Sequence, residues 1–174
     1  LLALWVTPLL HAQDWPQWRG PNLNGSADAR NLPFQWDETK NVLWSIDMPG
    51  TSSASPIVIG NRVFVSSNGP EGKLLYGICL DRDTGKTLWS KPLSTVDRVL
   101  QRNDLASSSP LADQERVYFT FASGDLIALD HDGNEVWKRN LDKDFGPISQ
   151  QFGYTSTPLL YKGRLYLPIL RAQW

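Results

Sequence analysis

The sequence predicts an all-β protein assembled from repeated four-stranded antiparallel modules, and three observations predict it. A Ser/Thr-rich stretch closing on proline occurs as Ser53-Ala54-Ser55-Pro56-Ile57, Ser107-Ser108-Ser109-Pro110-Leu111 and Thr155-Ser156-Thr157-Pro158-Leu159. Six residues after each proline an arginine (Arg62, Arg116, Arg164) opens a strand-forming run: Val63-Phe64-Val65, Val117-Tyr118-Phe119 and Leu165-Tyr166-Leu167. Finally, Cys79 to Trp89 aligns with Ala128 to Trp137, which is one residue shorter. The prolines recur after 54 and then 48 residues. Strand-rich periods of about 40–50 residues indicate propeller blades rather than helical solenoids.

The alignment closes without slack. The first unit carries five extra residues in its middle loop, around Ser66 to Lys73, and one in its turn; these account for the difference between the two periods. Trp89 to Pro110 and Trp137 to Pro158 are both 21 residues.

Each element has a physical reason. The Ser/Thr-rich start supplies a short strand of small side chains for a crowded axis. Its proline lacks a donor and belongs at a strand end. Arg62-Val63-Phe64-Val65 and its relatives are β-branched and aromatic, suited to a strand buried on both faces. Asp81-Arg82-Asp83-Thr84-Gly85-Lys86 is hairpin chemistry, with an aspartate to accept turn amides and a glycine for positive φ. The tryptophan that follows falls on the outer strand, where its indole can bury against the adjacent blade.

The stretch from Cys79 to Trp89 resembles the tryptophan-docking motif of the pyrroloquinoline quinone (PQQ) type propeller repeat. Asp81, Thr84, Gly85, Lys86 and Trp89 match that motif, with Cys79 in its alanine slot. In the second copy Ala128, Asp130, Gly133 and Trp137 match and the threonine slot is deleted. The similarity covers roughly residues 41 to 170. It implies a family that includes quinoprotein alcohol dehydrogenases and a non-enzymatic outer-membrane assembly lipoprotein. It also implies a ring of seven or eight blades, so this chain reads as a fragment: about two complete blades plus parts of two others. A strand around Val42-Leu43-Trp44 is expected to complete the last blade of the ring.

Composition fits a β-rich soluble domain: 41% hydrophobic, 11% aromatic, 13 Gly and 12 Pro. A net charge of −1 with scattered Lys and Arg excludes a nucleic-acid surface. The apolar start Leu1 to Leu10 is shorter than the about 20 residues that span a bilayer. Residues 1–12 read as a truncated secretory signal and 13–40 as a leader, with repeats over 41–174. Asp14-Trp15-Pro16-Gln17-Trp18-Arg19-Gly20-Pro21-Asn22 resembles the leader before such propellers in secreted bacterial proteins. No cysteine follows the apolar run, so a lipid anchor is not expected. The implied location is secreted or periplasmic.

The chemistry-bearing residues are sparse. His11 and His131 form no pair for a metal or triad, and His131 reads as an exposed turn residue. Asp81/Asp83 and Asp130/Asp132 lack the further ligands of a calcium loop and read as turn formers. Lone Cys79 reads as a small buried residue. No catalytic or metal-binding residue is assigned.

A site, if present, belongs on the face where outer strands link to the next inner strands. That face holds Arg98, Gln101, Arg102, Asn103, Asp104, Gln150 and Gln151. In the quinoprotein relatives the resemblance places PQQ there with calcium. The expected function is a non-catalytic binding or scaffold module for a protein or small molecule. The alternative is a PQQ- and calcium-dependent dehydrogenase of alcohols or sugars. Against the latter, the vicinal cysteine pair of many such enzymes cannot be built from Cys79 alone. The remaining blades of its own chain are the other implied partner.

Overall fold

The computed structural model describes residues 13–30, 32–96, 103–147 and 154–169. The apolar start, residues 1–12, lies outside them, as do Arg98, Gln101, Arg102, Gln150 and Gln151.

The first blade is a four-stranded sheet of β1 (Ile57–Ile59), β2 (Arg62–Asn68), β3 (Leu74–Asp81) and β4 (Thr87–Thr95), adjacent in that order. The second repeats it with β5 (Leu111–Ala112), β6 (Arg116–Thr120), β7 (Asp125–Asp130) and β8 (Glu135–Asn140). A hairpin of β9 (Leu159–Tyr161) and β10 (Arg164–Tyr166) begins a third unit. All pairings are antiparallel, in agreement with the all-β expectation. Pro56, Pro110 and Pro158 stand immediately before β1, β5 and β9, where no ladder donor is required.

Both complete blades carry the same irregularity. In the first, Cys79 faces Trp89 but Leu80 faces Thr87, so Leu88 is bulged out. In the second, Ala128 faces Trp137 but Leu129 faces Glu135, so Val136 is bulged out. A bulge re-aims the side chains beside it. Here it leaves Leu88 and Val136 exposed and turns the neighbouring indoles inward.

The core lies between blades. Phe64, Leu75 and Cys79 of the first meet Val117, Phe119, Ile127 and Leu129 of the second, and Trp89 and Leu93 pack against them. Each large side chain so buried contributes about 1.5–3 kcal/mol. Approach is close enough that a Cβ on Gly77 would stand 2.6 Å from Leu93 and 3.0 Å from Phe119.

Two features depart from the sequence expectation. The stretch 42–44 forms no strand: Leu43 is exposed, and no ladder partner reaches it among the described residues. Trp44, Ile46 and Met48 nevertheless pack on Val63, Val65, Ile78 and Leu80, covering the outer side of the first blade. A short helix, α1 (Leu141–Phe145), follows β8. Asn140 caps it by accepting from the Lys143 amide, and Gly146 at φ 86° ends it. No helix among the described residues is long and apolar enough to cross a membrane.

Candidate functional site

The docking residues are brought together as seams. The Trp44 indole donates to the Arg82 carbonyl at 2.8 Å, and the Trp89 indole donates to the His131 carbonyl at 3.0 Å. Arg82 and His131 each follow the first aspartate of a turn, so the two bonds are equivalent. Each indole also lies on the turn glycine: a Cβ would sit 2.5 Å from Trp44 at Gly85 and 2.9 Å from Trp89 at Gly133. Trp137, in the same slot of the second blade, packs on the cluster of Leu111, Tyr118 and Ala128, which Leu160 and Leu165 of the third unit also cover.

The aspartates hold the turns. Asp81 Oδ1 accepts from the Thr84 hydroxyl at 2.6 Å and its amide at 2.9 Å. These bonds hold the Asp81 carboxyl below its usual range. Where the threonine is deleted, Asn134 substitutes: its amide and side chain reach Asp130 at 2.8 and 2.9 Å and likewise lower that acid. Turn chemistry therefore accounts for both aspartates.

His131 is not the exposed turn residue expected. Its ring lies 5.5 Å from that of Phe64, half-buried between blades, and its Nε2 is buried without a hydrogen-bond partner. Its carbonyl also accepts from Arg62, whose other nitrogen pairs with Asp132 at 2.8 Å. The first repeated arginine is thus a bridge to the next blade.

The hub is where the Ser/Thr-rich stretches meet. The Ser55 amide donates to the Ser109 hydroxyl at 2.9 Å, and the Ser109 amide donates to the Thr157 hydroxyl at 3.1 Å. These residues are equivalent in the three units, so the third position of each copy links blade to blade. The first positions, Ser53, Ser107 and Thr155, behave differently. They line a cleft of about 400 Å³ with Ser109, Ser156, Thr157 and Trp18. The Ser107 hydroxyl oxygen is buried and unpartnered, a state that costs about 1–3 kcal/mol where water is excluded.

The leader runs into this hub. Trp15 exchanges backbone bonds with Val58 at 2.8 and 3.0 Å, Pro16 accepts from the Ala112 amide at 2.8 Å, and the Gln17 side chain accepts from the Leu160 amide at 3.2 Å. Val58, Ala112 and Leu160 each stand two residues past the repeat proline. Consecutive leader residues therefore pin equivalent positions of successive inner strands. Asp14 adds a bond from the Gly60 amide at 2.9 Å.

Of the linker-face residues the sequence singles out, Asn103 and Asp104 are described. The Asn103 side chain accepts from the Asp104 amide, and Asp104 accepts from the Ala106 amide, both at 2.8 Å. They shape the approach to β5. Sequence reasoning placed Trp18 in the leader motif and gave it no part in a site, whereas the structure sets it at the hub cleft.

A second polar cluster ties the blades together on their outer side. Asp125 accepts from Ser94 at 2.6 Å and Asn140 at 2.8 Å, and Lys138 pairs with it at 3.2 Å. Burial pushes this acid up, but bonds from Asn140, Ser94 and Lys138 outweigh it and hold the carboxyl below its ordinary value. Cys79 is buried, and burial pushes its thiol up to about 11, the state of an inert packing residue.

Of the seven residues expected to face PQQ with calcium, Asn103 and Asp104 are the two that are described. The cleft presents hydroxyls and an indole, and the two described polar linker residues hold backbone amides. Among the described residues no three His, Cys, Asp or Glu side chains gather for a metal.

Four-stranded antiparallel blades joined by indole seams define a β-propeller repeat protein. The chain belongs to the PQQ-type repeat family: the family model described as outer membrane protein assembly factor BamB matches residues 26–167. A polyvinylalcohol dehydrogenase from a Pseudomonas species is 27% identical over 133 residues, 74% of this chain and 18% of that protein. The structure of BamB from Moraxella catarrhalis matches with a TM-score of 0.54 at 25% identity, over 74% of this chain and 37% of that one. A quinohemoprotein alcohol dehydrogenase from Comamonas testosteroni matches at a TM-score of 0.64 and 22% identity, covering 87% and 22% respectively. That last likeness bears on fold alone. The chain thus spans less than a fifth of its curated relative.

Proposed function

We propose that the chain forms part of a secreted or periplasmic propeller acting as a non-catalytic binding or scaffold module, with residues 1–12 as its secretory signal. The observation carrying this reading is the chemistry of the hub: a leader seated on the inner strands, an exposed indole and uncharged hydroxyls. Such a surface suits recognition; proton transfer would need a positioned acid or base. The likeness to BamB supports the same reading. A second reading, a PQQ- and calcium-dependent dehydrogenase of alcohols or sugars, draws support from the identity to a polyvinylalcohol dehydrogenase.

The two separate on one experiment. The complete protein is incubated with PQQ and calcium, and quinone absorbance and dye reduction with alcohols, sugars and poly(vinyl alcohol) are followed. The binding-module reading expects neither signal. Saturable PQQ uptake with substrate-dependent dye reduction would replace it with the dehydrogenase.

A further inference from the structure

Asparagine followed by glycine is prone to succinimide formation, because a glycine has no Cβ to hinder attack of its amide on the asparagine side chain. The chain holds this pair twice, at Asn24-Gly25 and Asn68-Gly69. The structure treats the two very differently.

Asn68 ends β2 and is held from several sides. Its amide donates to the Thr51 carbonyl at 2.9 Å, and its side chain donates to the Thr51 hydroxyl at 3.0 Å. The Gly69 amide donates to the Leu74 carbonyl at 2.7 Å. Gly69 is buried, and a Cβ there would stand 2.9 Å from the Tyr76 ring. Its nitrogen is freed for attack only when the end of the β2–β3 ladder opens.

Asn24 and Gly25 are both exposed, in a turn of the leader with open space around the glycine. The Gly25 amide donates to the Arg19 carbonyl at 3.0 Å, a bond at the surface that opens readily. Two further contacts favour reaction. The Arg19 guanidinium donates to the Asn24 backbone carbonyl at 3.3 Å; it draws electron density from the Asn24–Gly25 peptide and favours the deprotonated nitrogen. The Ser26 amide and hydroxyl both donate to Asn24 Oδ1 at 2.9 Å. That oxygen collects the negative charge when the side-chain carbon is attacked.

We propose that Asn24 is a self-modification site, which deamidates in the folded protein while Asn68 stays intact. The Gly25 nitrogen gives its proton to water and bonds to Asn24 Cγ. The side-chain nitrogen takes up a proton and leaves as ammonia. Water then opens the succinimide at either carbonyl, giving an aspartyl or isoaspartyl residue at position 24. The new carboxylate arises beside Arg19, whose guanidinium lies 6.0 Å from the Trp18 ring centroid. Trp18 lines the hub cleft, so the conversion changes the charge at its rim.

The test is incubation of the complete protein, folded and in guanidinium chloride, in mildly alkaline buffer. Tryptic peptides are sequenced by tandem mass spectrometry, and an isoaspartyl methyltransferase counts isoaspartate independently. In the folded protein Asn24 converts about tenfold or more faster than Asn68, and in denaturant the two rates converge. Arg19→Gln and Ser26→Ala each slow the conversion of Asn24 severalfold without lowering the melting temperature. Were these side chains only restraining the turn, their loss would speed the reaction instead. No conversion of Asn24 in the folded protein, a comparable rate at Asn68, or faster conversion in either variant overturns the proposal.

Discussion

The Trp89 indole bonds to the His131 carbonyl at 3.0 Å across the seam between the two complete blades, over a glycine that has no room for a Cβ. Trp44 makes the same bond to Arg82 at 2.8 Å over Gly85. The turn of each complete blade thus receives an indole, from Trp44 in the first and Trp89 in the second, and answers with a carbonyl and a bare backbone. The bulged Leu88, directly before Trp89, is what aims the ring.

Gly133→Ala combines two penalties, positive φ at 83° and collision with Trp89 at 2.9 Å. It is expected to destabilise by about 2–4 kcal/mol, against about 1 kcal/mol for Gly72→Ala, where φ is 68° and space is open. Urea midpoints of the two variants check this. Equal shifts would show that the seam is not tightly packed.

Acid weakens the blade junction through Asp125. Its folded carboxyl titrates below the ordinary 3.8, so its contribution is fully present above that value. The contribution is lost as pH falls through the lower, folded value. Melting temperature against pH should fall less steeply below about pH 4 in Asp125→Asn than in the parent. The parent should also be the more stable at neutral pH.

Thiol titration probes burial at the seam. With its thiol pushed up to about 11 and no exposure, Cys79 should resist a disulfide reagent at pH 8 in the folded protein and react fully in denaturant. Rapid labelling under native conditions would contradict the packing of β3 against the second blade.

Removal of residues 13–20 takes away the acceptors of the Val58 and Ala112 amides. Amide hydrogen exchange at those two positions should accelerate by about tenfold or more, since each amide faces the open edge of its inner strand and bonds to the leader. The amide of Phe64, within β2, should keep its protection. Unchanged exchange at Val58 would mean that the leader does not seat on the hub.

Much of the fold was legible because propeller units repeat a local code. Ser-x-Ser/Thr-Pro marks where an inner strand starts, Asp-to-Gly marks a hairpin, and the spacing to tryptophan marks the outer strand. Each is set by backbone chemistry within a few residues. The site was less legible. The linker residues were chosen by topology alone, and the two that are described, Asn103 and Asp104, shape their own loop.

His131 was misread for a related reason: a turn looks exposed until the neighbouring blade is placed against it. Trp18 stood in a recognisable leader motif, but nothing local placed it at the hub, because that depends on strands that begin tens of residues later. By itself, then, the sequence determined the repeat, its strands and its turns, where the governing contacts are short-range. Only the tertiary structure decided which hydroxyls join blades, which remain unspent, and that the leader closes on the hub. Those outcomes follow from bonds between residues 46 to 143 positions apart, which no local pattern encodes.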